Sequence, residues 1–162
     1  MTVDGIDVSA FSSAVSVAYL QRTRCACVPT DPGVYLVTRP CRTPAVFLPK
    51  SVGGWFKGKD PTDTPAFLSE HWVTGACVLY IGKGGGANGL KQRLGQFMSF
   101  GDGKNIGHRG GRLIWSLADH QELLVQWEVT PNEAPEHVER CMIGLFQRNY
   151  GKRPFANLIG GE

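Results

Sequence analysis

The run Val78-Leu79-Tyr80-Ile81-Gly82-Lys83-Gly84-Gly85-Gly86, VLYIGKGGG, passes from an apolar segment into a glycine cluster that carries one lysine. Its first half predicts a strand. Its second half leaves bare backbone beside a cation, which suits either a tight turn or the close approach of a phosphate. The flanking sequence has to decide between the two.

Toward the C-terminus, GLKQRLGQFMSF predicts a helix with Leu90, Leu94 and Phe97 on one face and Lys91 and Arg93 off it. Gly84, Gly86 and Gly89 satisfy G-x-G-x-x-G between strand and helix. A dinucleotide fold would next bring a second parallel strand ending in an acidic residue, and the chain runs instead into SFGDGKNIGHRGG. A Walker loop needs Ser or Thr after its lysine, and residue 84 is glycine. RLIWSL and LLVQWEV then predict strands. PEHVERCMIGLFQRNY predicts a helix, with Pro135 near its start and Val138, Cys141, Met142, Leu145 and Phe146 at helical spacing.

Toward the N-terminus, GVYLVTR at Gly33–Arg39 predicts a strand after the turn residues Asp31-Pro32-Gly33, and Ser9 to Arg22 predicts an amphipathic helix capped by Ser9. Residues 40–75 break this regularity with five prolines, the pair Gly53-Gly54 and the aromatic residues Trp55 and Phe56. They predict a long elaborated loop with a short strand at AVFLP, and loops of that length are often functional. The expected fold class is α+β, a small, mainly antiparallel three-stranded sheet flanked by helices. The expected organisation is one domain over 1–162: an N-terminal helical extension (1–32), an insertion (40–75) and a core of 33–39 with 76–162.

The chain has 162 residues, 42% hydrophobic, enough for a single core. No apolar run approaches the roughly 20 residues of a membrane span. Asp4 and Asp7 stand where a secretory signal would be positive. Five cysteines without a CxxC pair suit reduced thiols, and the expected location is cytoplasmic, with no membrane partner. Charge is segregated. Residues 80–112 hold six Lys or Arg against one Asp, and residues 20–59 hold seven against one. Residues 113–139 hold six carboxylates and no Lys or Arg. That pattern suits a face turned toward a polyanion, and equally an ordinary solvated surface. His137 and Cys141, one helical turn apart, lack the second ligand pair that zinc would need.

GVY at 33–35, YIGK at 80–83, the arginine of LKQRL, a later helical glutamate and a late asparagine occur in an order that resembles the GIY-YIG nuclease family over about residues 33–157. The resemblance implies a divalent-metal-dependent endonuclease that hydrolyses DNA phosphodiesters, double-stranded DNA more than single-stranded. It implies that Glu139 holds Mg²⁺ (or Mn²⁺) near the leaving oxygen, that Arg93 stabilises the transition state, and that the two tyrosines orient or deprotonate the attacking water. On that reading Tyr35 is the base with Lys83 as its helper, since a nearby cation favours the phenolate, and Tyr80 is a phosphate ligand. Gly33, Gly82 and Asn157 support the site, Asn157 by fixing the C-terminal segment through backbone hydrogen bonds. The departures are informative. The interval between the two tyrosines holds 44 residues (36–79), and Phe97 occupies a position where relatives carry tyrosine or histidine. His108, in NIGHRGGR, is the candidate to fill that role, with Arg109 and Arg112 disfavouring its charged form. Lys57, Lys59, Lys91, Arg109 and Arg112 are candidates for gripping nucleic acid, and the insertion with Trp55 and Phe56 for reading bases or forming a homodimer. The rival expectation is a nucleic-acid-binding module of the same fold that has lost activity.

Overall fold

A computed structural model describes residues 1–40 and 42–158, and these described residues form six strands and four helices. Strands β1 (Thr2–Val3) and β2 (Ile6–Asp7) pair as a small hairpin. Strands β3 (Val15–Ser16), β4 (Gly33–Thr38), β5 (Val78–Gly84) and β6 (Leu124–Val129) form one sheet in the order β3-β6-β4-β5, antiparallel at every pairing. The helices are α1 (Val17–Thr23), α2 (Pro65–His71), α3 (Gly89–Gly101) and α4 (Pro135–Tyr150). The α+β expectation therefore holds, with a two-residue fourth strand added at one edge of the sheet. An all-antiparallel sheet has no parallel crossover to house a dinucleotide.

Strand β4 lies between β5 and β6 and has both faces covered. Tyr35 and Val37 point into the core under α3, with Leu90, Leu94, Phe97 and Trp115. Val34 and Leu36 point into a second cluster with Met142, Ile143 and Phe146 of α4. Strand β5 follows the same division, with an irregularity in register opposite Val37 and Thr38 that lets Leu79 and Tyr80 both enter the first cluster. As an edge strand β5 would expose unpaired backbone, a liability in any sheet. The chain covers it. Ala156 N–H donates to the Leu79 carbonyl at 2.8 Å. The Asn157 amide bonds both backbone groups of Ile81 at 2.9 Å, imitating a neighbouring strand. At the strand's start, one Asp4 carboxylate oxygen accepts from the N–H groups of Cys77 and Val78.

Three segments differ from the sequence reading. The N-terminal helix starts at Val17, not near Ser9, and its cap is Ser16, whose hydroxyl accepts from Tyr19 N–H at 3.0 Å. Ser12 instead takes both backbone groups of Trp127 in β6, its hydroxyl accepting from the Trp127 N–H and its own N–H donating to the Trp127 carbonyl. RLIWSL is a 3₁₀ turn (Arg112–Ser116), not a strand. Leu113, Ile114 and Trp115 are all fully buried, and a short run that is apolar on every side does not reveal its period. The insertion is a packed layer that contains α2, whose start has a readable signature in the Thr64 cap and Pro65 at its first turn. Its AVFLP stretch makes a single bridge, Phe47 to Leu117, flanked by backbone bonds from Leu48 to Ser116 and from Val52 to Trp115. Arg39 clamps this layer through Asp119 at 2.8 Å and the Thr43 carbonyl at 2.7 Å. Cys25, Cys27, Cys77 and Cys141 are free thiols, and Cys41 lies outside the described residues. Among the described residues no helix is long and apolar enough to cross a membrane.

Candidate functional site

A cleft of about 310 Å³ opens where β5 runs out beyond the stitching of Asn157. Tyr80, Lys83, Gly84 and Gly85 line it from the strand, Gly89, Gln92, Arg93 and Gln96 from α3, and Glu139 from α4. Alternation on the strand explains the grouping: Tyr80 and Gly82 share the α3 face, whereas Lys83 lies on the α4 face, within reach of Glu139. Lys83 Nζ stands 3.3 Å from Glu139 Oε1.

The glycines divide by role. A methyl at Gly82 would overlap the Tyr35 ring, its cross-strand partner. One at Gly84 would press into Gly89 and Leu90, and one at Gly33 would overlap the Glu128 carbonyl. These three are dictated by packing. Gly85 and Gly86 have open space around them, and Gly86 has φ of +76°. Gly85 lines the cleft, and it and the neighbouring Gly86 are exposed at its mouth. The amide groups that open α3 are already used, Leu90 N–H by the Asp31 carbonyl and Lys91 N–H by that of Pro29. Side chains therefore supply the positive character of the cleft.

Arg93 bonds a neutral partner, Gln96 Oε1, at 3.2 Å, and no carboxylate pairs with it among the described residues. Gln92 and Gln96 share the cleft wall with Arg93 and lie outside the sequence-based expectation. The polar stripe of LKQRLGQ carries them at helical spacing with Arg93, so the signal was there.

Tyr35 is placed differently from the expectation of a base in the cleft. Its ring is wholly buried, with its hydroxyl 3.4 Å from His108 Nε2 and in hydrogen bond with Tyr80. Burial, and then the neighbouring Tyr80, push its pKa well above the ordinary tyrosine value, the reverse of activation by Lys83. The tyrosine that reaches the cleft is Tyr80. His108 does fold back over the helix, its ring stacked on Phe97 with centroids 4.7 Å apart. It is fully buried, and burial followed by Arg93 depresses its pKa to about 3. Arg109 and Arg112 are not the cause. The residues behind the cleft thus form a line, from Tyr80 through Tyr35 to a neutral imidazole.

The remaining candidates lie outside the cleft. Asn157 is at the strand edge, and Lys91 is exposed on α3. Arg112 is committed to Asp63 through two bonds of 3.1 and 3.3 Å. Arg109 reaches the Lys59 carbonyl at 3.5 Å, and Lys57 and Lys59 are exposed on the insertion. His137 contacts Cys141 at 3.7 Å on an exposed face.

Among the described residues no group of three His, Cys, Asp or Glu side chains converges to hold a metal. A cation at this cleft would have one protein carboxylate, Glu139, and keep most of its waters. That donor set fits Mg²⁺, which dehydrates reluctantly, and does not fit structural zinc. No protein-family model, curated protein or solved structure matches the chain.

Proposed function

We propose that the protein is a divalent-metal-dependent endonuclease of GIY-YIG type that hydrolyses DNA phosphodiester bonds. The observation that carries the reading is the convergence of Tyr80, Lys83, Arg93 and Glu139, from three separate elements, on one glycine-mouthed cleft. The open backbone at Gly85 and Gly86 admits a bulky polyanion. Arg93, without an acidic partner, forks onto non-bridging phosphate oxygens and holds charge that grows in the transition state. Lys83 contacts the phosphate or the developing oxyanion from the opposite wall. Tyr80, held by Tyr35 and through it by His108, orients the attacking water with its hydroxyl. Glu139 would hold the cation, whose chemistry when bound is to neutralise the phosphate and stabilise the leaving oxygen.

The test is cleavage of supercoiled plasmid with and without Mg²⁺. Glu139→Gln should abolish the Mg²⁺-dependent rate while DNA binding stays within a few-fold, and Arg93→Ala should lose roughly a hundredfold or more. Full turnover by the Glu139→Gln protein would remove Glu139 from the mechanism. The Lys83–Glu139 ion pair favours a second reading, a nucleic-acid-binding module, because each charge partly satisfies the other with no metal present. DNA binding without cleavage by the wild-type protein, in Mg²⁺ and in Mn²⁺, would establish that alternative.

A further inference from the structure

The insertion ends in a tip, Trp55 to Lys59, that the cleft chemistry does not use. Trp55 is 57% exposed, and the other three tryptophans are buried or half-buried. An exposed indole on a loop is a poor anchor if the loop moves, but this tip is tied down at its root. Gly54 lies so close to the Lys104 carbonyl that a methyl there would overlap it. Gly107 lies against the Phe56 ring, and a methyl added there would stand a tight 3.2 Å from it. Arg109 reaches back to the Lys59 carbonyl. The turn itself holds Lys57 in the left-handed region, φ +53°, with its ammonium 5.3 Å from the Phe56 ring centre. Lys57, Lys59 and Arg109 thus gather on the tip that carries the exposed Trp55, with Asp60 as the nearby opposing charge and Asp63 already taken by Arg112.

We infer that this tip is a base-stacking site, in which Trp55 takes an unpaired nucleobase while Lys57, Lys59 and Arg109 hold the phosphates on either side of it. An exposed aromatic ring that can stack on any base, on a tip that also carries cations for the phosphates, is the chemistry of single-strand recognition. Its location agrees. Gly107 touches Phe56 and Gly111 packs on Tyr80 of the cleft wall. They are four positions apart in the chain, at most roughly 14 Å of backbone and about four steps of a nucleic-acid strand. The inference rests on the nuclease reading for its choice of DNA and deepens it: the substrate is DNA with an unpaired or splayed nucleotide a few steps from the cut.

The experiment uses the full chain in chelator, so that cleavage plays no part. A twelve-nucleotide oligothymidine and a duplex of equal length are titrated while tryptophan fluorescence and anisotropy are read. The oligothymidine should quench the exposed indole. Trp55→Leu should remove that quench and weaken oligothymidine binding about 5- to 100-fold with little change in salt dependence, whereas Trp55→Phe should retain most of the affinity. Lys57→Gln and Lys59→Gln should each lower the salt slope by about 0.7. Equal binding by Trp55→Leu and wild type would overturn the inference. So would tighter binding of the wild-type tip to phosphatidylserine vesicles than to oligothymidine. A protein that binds as expected but never cuts DNA would refute the nuclease reading alone. One that cuts normally while the Trp55→Leu protein binds normally would refute the tip alone.

Discussion

His108 places its ring on Phe97 and its Nε2 against the Tyr35 hydroxyl, with no part of it open to solvent. The resemblance to the GIY-YIG family is what marks Phe97 as a departure and makes His108 a candidate beside it. The burial that keeps the imidazole neutral is not visible, because Arg93 and the segment around Phe56 that press on its neighbourhood are distant in the chain. Its pKa of about 3 lies below the unfolded value near 6.5. Between those two values the unfolded chain accepts a proton that the folded chain refuses. Stability contributed by the neutral ring is therefore fully present above about pH 6.5 and lost as pH falls toward 3. His120, also shifted down by burial, acts in the same direction. His108→Phe keeps the stacked ring and removes the proton. Unfolding curves from pH 7 to pH 4 should show the wild type losing up to about 1.4 kcal/mol per pH unit more than this variant. Parallel curves would mean that His108 titrates freely. At neutral pH the same variant should cost about 1 kcal/mol, because the Tyr35 hydroxyl loses one of its two buried partners and keeps Tyr80.

Strand β5 shows which glycines are architecture and which are access. YIG reads in the sequence as common strand text, and only the cross-strand register makes Gly82 obligatory beneath Tyr35. Gly82→Ala should destabilise by about 1–3 kcal/mol, as overpacking of a close-packed core does. Gly85→Ala should change stability by less than about 0.5 kcal/mol, as at an open surface position, yet on the proposed nuclease activity raise KM for DNA by crowding the cleft mouth. Denaturant titration of both variants, with cleavage kinetics for the second, checks the contrast. The equivalent distinction among helices follows from their ends. Helices α3 and α4 have apolar stripes long enough to be read directly, and α4 adds Pro135 at its first turn and Gly151 in the left-handed cap. Helix α1 is seven residues long and its serine-rich approach offers several caps, so only tertiary pairing with β6 selects Ser16.

Across the whole molecule, the insertion is where sequence reading reaches least far. Its prolines and glycines mark an irregular path, but nothing local tells that Val52 and Phe47 pack against the main core or that Arg39 and Asp119 meet across 80 residues. Shortening 50–65 would therefore remove core packing as well as the tip, and the loss of stability would obscure any change in DNA recognition. Arg39→Ala is the sharper probe. It strands Asp119 in a half-buried position and removes the Thr43 carbonyl's bond to the guanidinium, and should cost about 3 kcal/mol in unfolding free energy with the residues of the cleft untouched. A cost below about 1 kcal/mol would show that the clamp is dispensable. The stitching of β5 has a different kind of consequence. Asp4 holds the start of that strand and Asn157 its middle, so the strand that carries Tyr80 and Lys83 is secured by residues about 150 positions apart. A chain growing from the ribosome has no partner for the Ile81 backbone until residue 157 has left the exit tunnel. A message cut short or a stalled ribosome would then release a protein whose proposed phosphate-gripping strand is open at its edge, so synthesis to residue 157 is itself a licence for the site to form.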